Sequence, residues 1–130
     1  MAVTWEIRGS VLVITVIGFG GEEPAQAIAE ALVDPKFKPG TALLFDMRQS
    51  TDSPTSDQMH ERATRLAPLL AKGISHRLAL VVGPHKYQYG LARMAAAHAD
   101  LKGMHLEIFR ELSDALQWLT ATAASAPAGT

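Results

Sequence analysis

Residues 42–58 read ALLFDMRQSTDSPTSDQ, and the fold turns on what this stretch becomes. Ala42-Leu43-Leu44-Phe45 is too short and too uniformly apolar for a surface helix, so it reads as a strand covered on both faces and ending at Asp46. Beyond it come hydroxyls, acids and a proline, the chemistry of a loop that delivers the chain to a helix N-terminus. That helix is expected over about Thr55 to Ala71. Met59, Ala63, Leu66 and Leu70 form its apolar face, and Lys72-Gly73 closes it. Pro68 lies inside, which predicts a kink or an early end, because proline removes one backbone bond and crowds the carbonyl of Thr64.

The same alternation continues outward in both directions. Upstream, Thr4 to Arg8 alternates, with Trp5 and Ile7 on one face. After a turn at Gly9-Ser10, Val11 to Ile17 is a nearly continuous β-branched run, so the two predict an antiparallel hairpin. Glu22-Glu23-Pro24 opens a helix whose Ala25, Ile28, Ala29 and Leu32 make one apolar stripe, Asp34-Pro35 stops it, and Lys38-Pro39-Gly40 turns back. Downstream, Leu78 to Val82 is a second buried strand, followed by Gly83-Pro84 and a helix near Lys86 to Asp100. Met104, Leu106 and Ile108 alternate with His105, Glu107 and Phe109, the pattern of a strand nearer an edge.

Ser113 is a candidate cap for a final helix carrying Leu116, Trp118 and Leu119. The small, polar segment from Ala121 is expected to lose order beyond about Ala124. The reading is thus an α/β domain of order β-β-α-β-α-β-α-β-α spanning 1–122, with a disordered tail at 123–130. Its sheet is mixed but largely parallel, joined by right-handed crossovers and flanked by helices.

Bulk composition narrows the function classes. The chain has 130 residues, 12 Lys+Arg against 13 Asp+Glu, and a formal net charge of −1, so no global field attracts nucleic acid. It has no cysteine, which removes disulfides, thiolate metal sites and cysteine nucleophiles. No apolar run approaches the roughly 20 residues of a membrane-spanning helix, and the start MAVTWEIRGS lacks the pattern of a signal peptide. A cytoplasmic location is the expectation.

In order and spacing, the chain from residue 4 to 120 resembles the SpoIIAA-like proteins of the STAS and Sec14-related fold. The likeness is carried by several features: the opening hairpin, the Gly18 turn, Leu43-Leu44-Phe45-Asp46 before the hydroxyl-rich loop, Arg77-Leu78-Ala79, and Ile108-Phe109-Arg110 followed by Ala115 and Trp118-Leu119. The resemblance implies a regulatory or interaction module rather than an enzyme, without a cofactor. The best-known relatives are anti-sigma-factor antagonists switched by phosphorylation of a serine, which falls here on Ser53, after Asp52. This loop departs from theirs, since Pro54-Thr55 replaces a Ser-Gly pair and the segment from Asp46 is about two residues shorter. Relatives on the Sec14 side bind lipids, so the resemblance also implies a small apolar ligand as the alternative to a protein partner.

The residues themselves offer two candidate sites. At the first, Thr55 can cap the helix in a T-x-x-Q box with Gln58, or Ser53 can cap it with Pro54 at the first helical position. A phosphate on Ser53 would add negative charge beside free N–H groups, opposed by Asp52 and Asp57 and offset by Arg48 and Arg62. Asp52, Ser53, Thr55 and Ser56 are therefore candidate contacts. At the second, Gly83-Pro84-His85-Lys86-Tyr87-Gln88-Tyr89-Gly90 joins a strand's carboxyl end to a helix, where ligands of open α/β sheets bind, and contributes His85, Lys86 and Tyr87. The two loops would share one rim if their strands are neighbours.

Several motifs are excluded. Gly18-Phe19-Gly20-Gly21 is no dinucleotide loop, with Glu22-Glu23 where a pyrophosphate would approach. His60-Glu61 lacks the second histidine of a zinc-protease motif, since position 64 is Thr, and the five histidines have no ligand spacing. The edge around Trp5 is a candidate homodimer surface.

Overall fold

The computed structural model describes residues 2–18, 23–50, 55–84, 86–101 and 103–129. Among them, β1 (Ala2–Arg8), β2 (Val11–Gly18), α1 (Glu23–Leu32), β3 (Thr41–Ser50), α2 (Ser56–Leu70), β4 (Ile74–Val81), α3 (Lys86–Leu101), β5 (His105–Phe109) and α4 (Leu112–Gly129) follow one another. This is the expected order. The strands form a single sheet in the order β1-β2-β3-β4-β5, antiparallel between β1 and β2 and parallel elsewhere. The β-branched run of β2 is buried because it pairs on both sides, Ile14 lying between Trp5 and Phe45.

Alternate residues of the central strands serve two different cores. Leu12, Ile14 and Val16 of β2, Leu43 and Phe45 of β3 and Leu78 of β4 pack with Ala27, Ile28 and Ala31 of α1, and Leu66 of α2 joins them. Val11, Val13, Ala42, Leu44, Ala79 and Val81 instead meet Ala115 and Leu119 of α4. Helix α3 packs against β5 and α2. At the β1 edge the predicted alternation holds, with Val3, Trp5 and Ile7 half-buried and Thr4, Glu6 and Arg8 exposed. Among the described residues, no helix is long and apolar enough to cross a membrane.

Four local expectations are corrected. β3 does not stop at Asp46 but continues to Ser50, because β2 also runs on and offers backbone partners: Ile17 faces Gln49 and Gly18 faces Ser50. Thr15 faces Asp46, so two steps along β2 match three along β3, and the extra residue makes a bulge. On α1, Ala29 is exposed and Ala27 and Ala31 are buried beside Ile28, a stripe rotated slightly from the expected one. Helix α2 does not end early at Pro68. It reaches Leu70, and Ala71 N still donates to Ala67 O at 3.1 Å, since a proline this near the end deprives only the carbonyl of Thr64 of its donor.

Finally, Ser113 lies inside the first turn of α4 rather than before it. The first helical bond runs from Ala115 N to Glu111 O at 3.2 Å, which puts Glu111 at the cap position. The backbone of α4 runs from Leu112 to Gly129. Alanine is the strongest helix former, and the run from Ala121 is rich in it.

Candidate functional site

The extension of β3 carries polar groups onto the carboxyl edge of the sheet. Asp46 follows four apolar residues, lies opposite Thr15 and Val81, and is 6% exposed. A carboxylate so placed needs compensation. Arg48 supplies it, two residues on along the strand: Nε donates to Oδ1 at 2.9 Å, Nη2 to Oδ2 at 2.8 Å, and the backbone N–H of Arg48 to Oδ1 at 3.2 Å. Burial raises the pKa of Asp46, but the side-chain and backbone hydrogen bonds from Arg48 and its charge outweigh this together, and the carboxyl titrates below its ordinary value. The guanidinium is held more firmly protonated by the hydrogen bonds it donates to Asp46, and by the fields of Asp46 and Glu111, against an opposing desolvation cost smaller than the hydrogen-bond contribution. Arg48 keeps 40% of its side chain exposed.

A buried amide ties this strand end to the next. Gln88, in the first turn of α3, is 7% exposed. Its Oε1 accepts from Gly83 N at 2.8 Å and its Nε2 donates to Ser50 O at 2.9 Å, with a longer contact to Met47 O at 3.4 Å. Gly83 has little room for a side chain here. A Cβ would stand 2.6 Å from Oε1 of Gln88 and 3.0 Å from Arg48 O, so even alanine would displace the amide or the backbone of β3. At the same edge, just beyond β5, the guanidinium of Arg110 lies 5.6 Å from the centre of the Tyr89 ring, and Tyr89 is 41% exposed.

The predicted contact residues distribute unevenly around this edge. Thr55 forms the capping box: its N–H donates to Gln58 Oε1 at 2.9 Å and its Oγ1 accepts from Gln58 N at 3.2 Å. Of the two caps weighed from sequence, this is the one formed, and the Thr55 hydroxyl is engaged in it. Ser56 opens α2, and Lys86 and Tyr87 open α3; for these three the backbone alone is described. Asp52, Ser53 and His85 lie outside the described residues. β3 and β4 are neighbours, and the loops carrying the candidates leave from adjacent points, Ser50 and Gly83 sharing the Gln88 amide.

The residues that organise the edge, Asp46, Arg48 and Gln88, were absent from the sequence-derived contact set. Asp46 and Arg48 did carry a signal, an acid closing an apolar strand and a cation two residues later on the same side. Gln88 carried none, since a glutamine in the first turn of a helix reads as exposed.

No protein-family model matches the sequence, and no curated protein shows significant similarity to it. Among solved structures, an uncharacterized protein of the DUF3478 family with a SpoIIAA-like fold, from Shewanella loihica PV-4, superposes with a TM-score of 0.57 at 18% identity. The match covers 91% of this chain and 92% of that one. The sheet order, the two helical layers and this superposition over nearly the whole length give the chain a SpoIIAA-like fold.

Proposed function

We propose that the protein is a non-enzymatic regulatory module that works in the cytoplasm. It would bind a protein partner through the rim formed by the loops after β3 and β4, with Asp52, Ser53, Ser56, His85, Lys86 and Tyr87 as contacts and Ser53 as the residue open to phosphorylation. The observation that carries this reading is the Tyr89–Arg110 pair. An exposed phenol with a guanidinium 5.6 Å over its ring stands at the carboxyl edge of the sheet, beside the ends of β3 and β4 that Gln88 ties together. Tyrosine and arginine are the residues that most often supply binding energy at protein interfaces, and holding each other in place reduces the entropy they lose on docking. Arg48, paired yet partly exposed, adds a third oriented donor on the same edge.

The test is capture of a partner that can be identified and then bound reciprocally as purified protein. Arg110→Glu reverses a rim charge without touching either core and is expected to weaken that binding by about tenfold or more, with unchanged circular dichroism. Affinity unchanged in both Arg110→Glu and Tyr89→Ala would refute the rim as the binding surface.

A further inference from the structure

The pairing of β3 with β4 ends at Asp46 and Val81, yet β3 runs four residues further to Ser50 and the chain after β4 continues to Gly83. Among the described residues, the side chain of Gln88 links these two outgoing segments past that point. It receives the Gly83 N–H on one atom and gives a hydrogen bond to the Ser50 carbonyl from the other. A carboxamide suits this place because one planar group presents both an acceptor and donors, and carries no charge into a buried position. The contact has little slack, as the approach of Gly83 to both Oε1 of Gln88 and the Arg48 carbonyl shows.

We propose that Gln88 is a positioning residue that makes the end of β3 and the start of the β4–α3 loop one cooperative unit, so that displacing either segment is transmitted to the other. The physical basis is the cost of a half-made buried network. If the end of β3 moves away, Nε2 loses its acceptor and the amide turns to find another. Oε1 then leaves the Gly83 N–H unsatisfied, so the two contacts are made and broken together. Its use in partner binding rests on the reading above, but the coupling belongs to the unliganded chain and stands or falls without a partner.

Native-state hydrogen exchange on the full chain, read by NMR, tests it. In the wild-type protein, Gly83 and the slowest-exchanging amide among Arg48, Gln49 and Ser50 are expected to open with the same protection and the same denaturant dependence. Gln88→Glu is the discriminating variant, because it keeps an acceptor for Gly83 while setting a carboxylate against the Ser50 carbonyl. Coupling requires the Gly83 amide to lose protection by about tenfold along with the end of β3, although its own acceptor is retained, while Leu44 and Val81 keep theirs. Gly83→Ala, which perturbs the other side, is expected to raise exchange at the end of β3 by a similar factor. Gly83 holding its wild-type protection in Gln88→Glu while the end of β3 opens would overturn the proposal. So would a uniform rise that includes Leu44 and Val81, the mark of a residue that merely stabilises the whole fold.

Discussion

Asp46 is buried against an apolar strand and ionised by virtue of one neighbour, which makes its pH behaviour a direct readout of that neighbour. Its pKa in the fold lies below the ordinary 3.8, so the ionised carboxylate favours folding above that value, and the contribution is lost as pH falls through the lower folded pKa. Replacing Arg48 with methionine removes the side-chain bonds and the charge and leaves the backbone N–H of residue 48. Burial is the largest single influence on Asp46 and then prevails, so its pKa is expected to rise above the ordinary value and its ionised form to oppose folding at neutral pH. Arg48→Met should therefore lose about 2 kcal/mol at pH 7, with Arg48 half-exposed and the loss correspondingly below that of a fully buried pair. Urea unfolding from pH 7 down to pH 3 should show the gap to wild type narrowing as Asp46 takes up its proton in both proteins. Parallel pH profiles would mean that the pair contributes nothing. The residue scale also divides what the sequence revealed from what it hid. An acid and a cation two positions apart on a strand are legible as partners, whereas Gln88 turns inward because two backbone groups over 30 residues apart converge on it, and no local pattern records that convergence.

Helix α2 shows how far element boundaries follow from local chemistry. The Thr55–Gln58 box satisfies two of the orphan donors at its start, and this end was legible because both partners are within one turn. Thr55→Ala should cost about 1 kcal/mol in chemical denaturation and Thr55→Ser much less, since serine retains the accepting oxygen. Its other end contains Pro68, exposed, in a helix that carries on to Leu70. Pro68→Ala restores a donor for the Thr64 carbonyl and removes the ring, so it should stabilise the protein by about 1 to 2 kcal/mol. That is less than the full helix-interior penalty, because the site is near the terminus and proline also restricts the unfolded chain. A fall in midpoint on that substitution would show that the proline positions α2. A boundary that sequence missed is the end of β3. MRQS is polar and reads as loop, but strand extent there is set by the neighbouring β2, whose own length supplies pairing partners that the local residues do not announce.

The order of elements, the mixed sheet and the helical flanks were legible throughout, because each rests on periodicities repeated along the chain, while the order of the strands within the sheet and the number of helices on each face were not, since an apolar stripe does not say which neighbour or which side of a sheet it will find. In the fold, α1 and α2 occupy one face, with α3 beside α2, and α4 occupies the other, an arrangement with a consequence for how the molecule unfolds. Leu43 belongs to one core and its neighbour Leu44 to the other, and the same division runs through β2 and β4. Neither helical layer can therefore be lost without exposing one side of strands that the second layer still needs, and the two cores should unfold as one. The two tryptophans report them separately: Trp5 packs on the α1 side, where its Nε1 donates to Glu30 at 3.3 Å, and Trp118 on the α4 side, with its ring 5.6 Å from that of Phe109. In Trp118→Phe the fluorescence follows the first core alone, and in Trp5→Phe the second. Within each variant the urea transition by fluorescence should superimpose on that by far-ultraviolet circular dichroism, as a two-state domain requires. If the Trp118 signal in Trp5→Phe changed well before the circular dichroism, α4 would be a separately detachable layer. The shared strands would then not bind the two cores into one cooperative whole.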